Sequence, residues 1–267
     1  MSGYVSRRAV LTGLVLAVAA ADGARLPADE LADVRELWRG ELEIARGERA
    51  LVAGRRARPG LLADLARRAD AAGLRVSAVL GGTVRPLVLV PASGAEAARL
   101  AGTGGVDGLA AVADGRRVIV VPEGFARLNP VGRDVVLAHE LTHVAAGTGG
   151  LPVWLYEGFA DYVAYRDSGL PVTVAAAELA AEVRAGRLPG DLPGPADFGA
   201  RGDAQARAYQ GAWLACRYLA ARMGEGTLVR LYREARSAGA GRALAAYGLT
   251  IGELTREWRA YVRDELG

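Results

Sequence analysis

Apolar residues recur every three to four positions from Val131 to Ala146, where Val135, Val136, Leu137, Leu141 and Val144 make a broad apolar surface that predicts a helix. Asn129-Pro130 opens this segment, and Gly147, Gly149 and Gly150, followed by Pro152, close it, so the helix is expected over about 130–147. A second apolar-periodic segment, Val153-Trp154-Leu155-Tyr156-Glu157-Gly158-Phe159-Ala160-Asp161-Tyr162, follows across a Gly/Pro turn. Two helices joined by so short a loop are expected to lie antiparallel and adjacent. Upstream, residues 28–53 and 60–73 read as helices, the first through Leu31, Val34, Leu37, Leu42 and Ile44, the second through Leu61, Leu62 and Leu65. Short β-branched or apolar runs at 85–90, 109–113 and 117–121 read as strands, with a helix at about 95–101 and a hairpin at Asp114-Gly115. After Tyr165 the pattern loosens. Residues 186–202 read as a Pro/Gly-rich loop, and helices are expected at about 204–223, 225–237, 240–247 and 250–265. Strands in one stretch and helices in another predict the α+β class.

The 130–147 helix carries the chemistry. Both histidines of the chain lie in it, as His139-Glu140-Leu141-Thr142-His143. Positions i and i+4 share a helix face, so both imidazoles can address one ion while Glu140 lies one step round, within reach of a metal-bound water. The competing reading is an ordinary helix with two partly buried, hydrogen-bonded histidines. Two histidines and a water leave a tetrahedral zinc one protein ligand short, and with no third histidine in the chain a carboxylate must supply it. The HExxHxxGxxH extension is excluded on two counts, since Ala146 stands where its glycine would be. Glu157 in the second segment is the strongest candidate. Asp161, four residues later and on the same face, suits the task of accepting the other ring N–H of His139 or His143. The alternative for Glu157 and Asp161 is solvated helix charge, although they fall among Trp, Leu, Phe and Tyr rather than on a polar face.

These residues, His139-Glu140-Leu141-Thr142-His143 followed by Trp154-Leu155-Tyr156-Glu157-Gly158-Phe159-Ala160-Asp161, resemble the gluzincin metallopeptidases, in particular bacterial peptidase MA-like domains, and more distantly thermolysin and aminopeptidase N. The resemblance implies a zincin-like fold over residues 81–267, with a small mixed sheet and the HExxH helix in an N-lobe and a mainly helical C-lobe. It implies zinc held by His139, His143 and Glu157, Glu140 as general base and Asp161 behind a ligand histidine. Tyr209, in Tyr209-Gln210-Gly211-Ala212, is similar to the family tyrosine that stabilises the oxyanion, one residue short of its Tyr-x-x-Gly-Ala setting; an aromatic on the core side of a helix is the other reading. An edge strand that pairs with extended substrate is implied at Leu109, Ala110, Ala111, Val112 and Ala113, against an interior strand with no such role. Glu157 follows His143 by 14 residues, a shorter separation than in thermolysin or aminopeptidase N. The Gly-x-Met-Glu-Asn segment of aminopeptidases is absent, which favours an endopeptidase acting on a peptide or protein substrate. The alternative is a non-catalytic, zinc-stabilised module that binds peptides or envelope components. A third is a self-processing protease with its cleft blocked by the N-terminal lobe.

Composition narrows the remaining choices. Basic and acidic residues nearly balance, 33 against 30, and every basic residue is arginine. These are scattered apart from Arg55-Arg56-Ala57-Arg58, which reads as a solvated helix end or loop, so no nucleic-acid partner is expected. Cys216 is the one cysteine, so no internal disulfide can form, and its apolar helix predicts a buried thiol. At the N-terminus Ser6-Arg7-Arg8 precedes an uncharged stretch from Ala9 to Ala21, with a small-residue cleavage site at Ala19-Ala20-Ala21. Residues 1–21 therefore read as a signal peptide resembling the twin-arginine type, or as a short membrane anchor, and residues 22–80 as a helical N-terminal region.

Overall fold

A computed structural model describes residues 31–267; the signal segment expected at 1–21 lies outside them. The chain is α+β and divides into two compact units, one ending at Gly147 and the other Thr148–Gly267.

The first unit is built on a mixed sheet of β1 (Leu42–Arg46), β2 (Leu51–Arg55), β3 (Leu87–Val90), β4 (Ala111–Ala113) and β5 (Val118–Val120), in the order β1-β2-β3-β5-β4. The β2–β3 and β3–β5 pairs are parallel and the outer pairs antiparallel. Its helices are α1 (Ala32–Leu37), α2 (Leu61–Leu80), α3 (Gly94–Ala101), α4 (Pro122–Phe125) and α5 (Pro130–Ala146). Side chains alternate across the strands. Leu51, Ala53, Leu87, Leu89, Val112 and Ile119 join Val34 of α1, Trp38 just after it and Ala97 of α3 in one apolar core. Their neighbours on each strand face the opposite side, where α2 packs on β1 and β2, α5 packs on β4 and β5, and the two helices pack on each other. Ala111 and Ala113 are small, which lets the α5 backbone come close to the sheet edge.

The helix expected over 28–53 ends instead at Leu37, and residues 42–55 form the β1–β2 hairpin. Its turn is held from a distance. The Asp70 carboxylate, on α2, accepts the backbone N–H groups of Glu48 (2.7 Å), Arg49 (2.9 Å) and Ala50 (2.8 Å). Because β2 pairs with β3, the sheet runs through the boundary expected at residue 80 and joins both sides of it. The three amide donors hold the Asp70 carboxyl below its ordinary range, against the opposing effect of burial. A group whose folded pKa is depressed stabilises fully above its unfolded pKa and loses that contribution as pH falls through the folded one. Asp70→Ala should therefore cost about 1–2 kcal/mol in denaturant unfolding at pH 7. The difference from wild type should shrink below about pH 4. An equal loss at pH 7 and pH 3 would show that the carboxylate charge is not what holds the turn.

Two polar clusters tie the remaining pieces. Glu96, buried in α3, accepts Trp38 Nε1 (2.9 Å), Arg55 Nη1 (2.9 Å) and the Ala92 amide (2.8 Å). Arg117, 3% exposed, forks onto Asp33 at 2.9 and 2.6 Å and reaches Asp114 at 2.7 Å, clamping α1 to the β4–β5 hairpin. The Arg55-Arg56 pair is likewise engaged, by Glu41, at the end of β2 rather than at a helix end.

Among its described residues the second unit is all helix: α6 (Val153–Tyr165), α7 (Val172–Ala175), α8 (Ala177–Arg184), α9 (Pro195–Phe198), α10 (Asp203–Met223), α11 (Glu225–Ala238), α12 (Ala240–Ala245) and α13 (Ile251–Leu266). The long α10 is its axis and packs against α6, α8, α9, α11 and α13. Every α6 residue except Tyr162 is buried, as expected of a helix apolar on all sides. At the α6–α10 crossing Gly158 brings the backbones together: a Cβ there would lie 2.2 Å from the Ala212 carbonyl oxygen. Cys216 sits beneath the same crossing, fully buried, its thiol 3.8 Å from the Leu155 carbonyl. The expected loop at 186–202 contains one helical turn, α9, and two short helices, α7 and α8, occupy the stretch after Tyr165 where no element was expected. Among the described residues no helix is long and apolar enough to cross a membrane.

Candidate metal site

The local sequence holds α5 at both ends. Asn129 Oδ1 accepts the Gly132 amide at 2.7 Å, Pro130 occupies the first turn, and Gly147 terminates the helix with a positive φ of 68°. Within it the two histidines lie one turn apart, His139 buried and His143 partly exposed. Their rings meet edge-on, centroids 4.7 Å apart at 86°, with the Nε2 atoms 3.0 Å from each other. Two nitrogens bound at about 2.0–2.1 Å to one tetrahedral zinc stand about 3.3 Å apart, so this spacing suits a shared ion.

Glu157 completes the set. One ligand atom from each of His139, His143 and Glu157 lies within 4.8 Å of the others. Two imidazoles and a carboxylate can hold a metal ion, and as a donor set they match borderline-soft cations such as zinc. Asp161, 1% exposed, follows Glu157 by one turn of α6. Glu140 adjoins His139 and is half-buried.

No protein-family model and no curated protein matches the chain.

Tyr209 lies on α10, 2% exposed, its ring edge-on to Phe198 with centroids 4.9 Å apart. Within the expected 109–113 segment only Ala111–Ala113 is strand, and it forms the edge of the sheet. Leu109 and Ala110 lead into it. The Ala110 carbonyl accepts the Val121 amide at 2.9 Å and the Asp114 amide donates to the Arg117 carbonyl at 3.1 Å. In an antiparallel ladder these contacts alternate, so Val112 also faces β5, whereas Ala111 and Ala113 turn their N–H and C=O groups to the outer edge.

Two phenols near Glu157 carry no motif in the sequence. Burial, and then the Glu157 carboxylate, pushes Tyr156 above its ordinary range. Burial does the same to Tyr232 of α11, whose ring meets Phe159 at a tilt, 4.4 Å between centroids. Both stay protonated at neutral pH, and so remain hydrogen-bond donors. Tyr156 adjoins Glu157 in sequence and could have been flagged on that ground. Tyr232 is 75 residues further on, in a segment with no motif. Burial, reinforced by Asp161, also raises the Cys216 thiol, as expected for an inert cysteine.

Proposed function

We propose that the chain is an exported zinc metallopeptidase of the gluzincin kind, with a zincin-like fold, that hydrolyses peptide bonds. The observation that carries this reading is the His139–His143–Glu157 group with Glu140 set between its two histidines in sequence. Bound there, zinc supplies a Lewis acid that polarises a carbonyl and acidifies water. Glu140 takes the proton from the attacking water and returns it to the leaving amine. Asp161 orients a ligand imidazole, and Tyr209 donates to the developing oxyanion. Extended substrate adds to β4 through the outward backbone groups of Ala111 and Ala113. Glu140 also weighs against a purely structural zinc site, which needs no base and closes its fourth position with protein.

The test is metal analysis combined with digestion of a proteome-derived peptide library. The purified protein should carry about one zinc per chain, lose cleavage on chelation and regain it with added zinc. Glu157→Ala should weaken zinc affinity by about 100-fold or more, since it removes one of three protein ligands. Stoichiometric zinc with no cleavage anywhere in the library would replace this reading with that of a peptide-binding module.

A further inference from the structure

On α5, Arg133 stands seven residues before Glu140. Seven residues make nearly two full turns, so both side chains leave the same stripe of the helix, about 10 Å apart along its axis. The Arg133 guanidinium lies over the Phe125 ring, 5.5 Å from its centroid. Its Nε is buried with no hydrogen-bond partner among the described residues. Asp64, whose carboxylate feels the Arg133 charge, is already held by Arg67 and Arg68. The buried Nε is out of a ligand's reach, but Arg133 is part-exposed and in no ion pair among the described residues, and the Nη edge of a planar guanidinium resting on an aromatic face is suited to a carboxylate.

Its position relative to β4 gives that carboxylate a source. Phe125 belongs to α4, which lies against the chain entering the edge strand: a Cβ on Gly124 would fall 1.7 Å from the Leu109 carbonyl oxygen. Arg133 is thus near the start of the edge that lies along α5. Extended peptide advances about 3.3 Å per residue, so the 10 Å from Glu140 to Arg133 corresponds to about three residues.

We infer that Arg133 binds the C-terminal carboxylate of the substrate, so that cleavage at Glu140 releases two or three residues from a free C-terminus. The release rests on the peptidase reading; the carboxylate site does not. The two are separated by measuring binding in Glu140→Gln, using N-terminally labelled hexapeptides of randomised sequence, each made as the free acid and as the C-terminal amide. Fluorescence anisotropy should show the acid bound about 10- to 100-fold more tightly, the range expected of a charge-assisted contact. Adding Arg133→Met should bring the ratio near one, and Arg133→Lys should restore part of it. Circular dichroism and zinc content confirm that each variant is folded. Equal binding of acid and amide, or a preference that survives Arg133→Met, overturns the inference. An acid preference that depends on Arg133, in a protein whose wild type cleaves neither peptide, keeps the carboxylate site and overturns the peptidase reading.

Discussion

Glu140→Gln protein should bind about one zinc ion per chain and hydrolyse peptides about 10²–10⁴-fold more slowly than wild type, the usual worth of a general base. The substitution keeps shape and removes basicity, and Glu140 is not among the three residues whose ligand atoms cluster. Loss should therefore fall on turnover, with metal content and thermal unfolding close to wild type. Metal analysis and steady-state kinetics on one preparation check both halves. Full activity would remove Glu140 as the base, whereas loss of zinc would show that Glu140 is a ligand.

The second large effect is structural. Gly158→Val should destabilise the protein by about 3 kcal/mol or more, because the new Cβ meets backbone rather than a side chain that can swing aside. The Ala212 carbonyl oxygen would be 2.2 Å away, its carbon 2.5 Å and the Cys216 sulfur 3.1 Å. Relief requires α6 to lift from α10, and Glu157 is the residue next to the strain. Calorimetry should show Tm lower by about 6–12 °C, and zinc affinity should fall with it. Gly158→Ala should show both losses in smaller measure. Unchanged stability in the valine variant would mean that the two helices are not packed as described.

What the sequence revealed and what it concealed divide along the range of the interactions. The α5 helix was legible because Asn129-Pro130 and Gly147 mark its ends locally, and the observed Pro130–Ala146 differs from expectation by a residue. The β4–β5 hairpin was legible for the same reason, from Asp114-Gly115. Glu157 followed from counting histidines and from an acid placed among apolar neighbours, and it does join the His139–His143 group. By contrast, Leu42 and Ile44 read as part of a helix that begins near residue 28, yet they lie two apart on a strand. That hairpin is held by Asp70, on a helix more than twenty positions away, and short-range periodicity carries no trace of such a contact. Residues 172–184 carry no legible period because α7 and α8 are too short to show one; α8 is held by α10, where Gln210 accepts the Leu179 amide, and α7 packs on α8 and α13. Arg133 had no motif to draw attention to it, and only its place over Phe125 sets it apart.

Cys216 under the α6–α10 crossing makes the integrity of the site-bearing helix measurable from a single sulfur. Its thiol is wholly covered, and Leu155 and Gly158 of α6 lie directly against it. A thiol reagent reaches it only when α6 opens away from α10, so the labelling rate reports the free energy of that local opening. If zinc engages Glu157 on the same helix, it should slow the labelling in proportion to its occupancy. The chain thus contains a native probe of whether the metal ligand's helix is seated, readable without any catalytic assay.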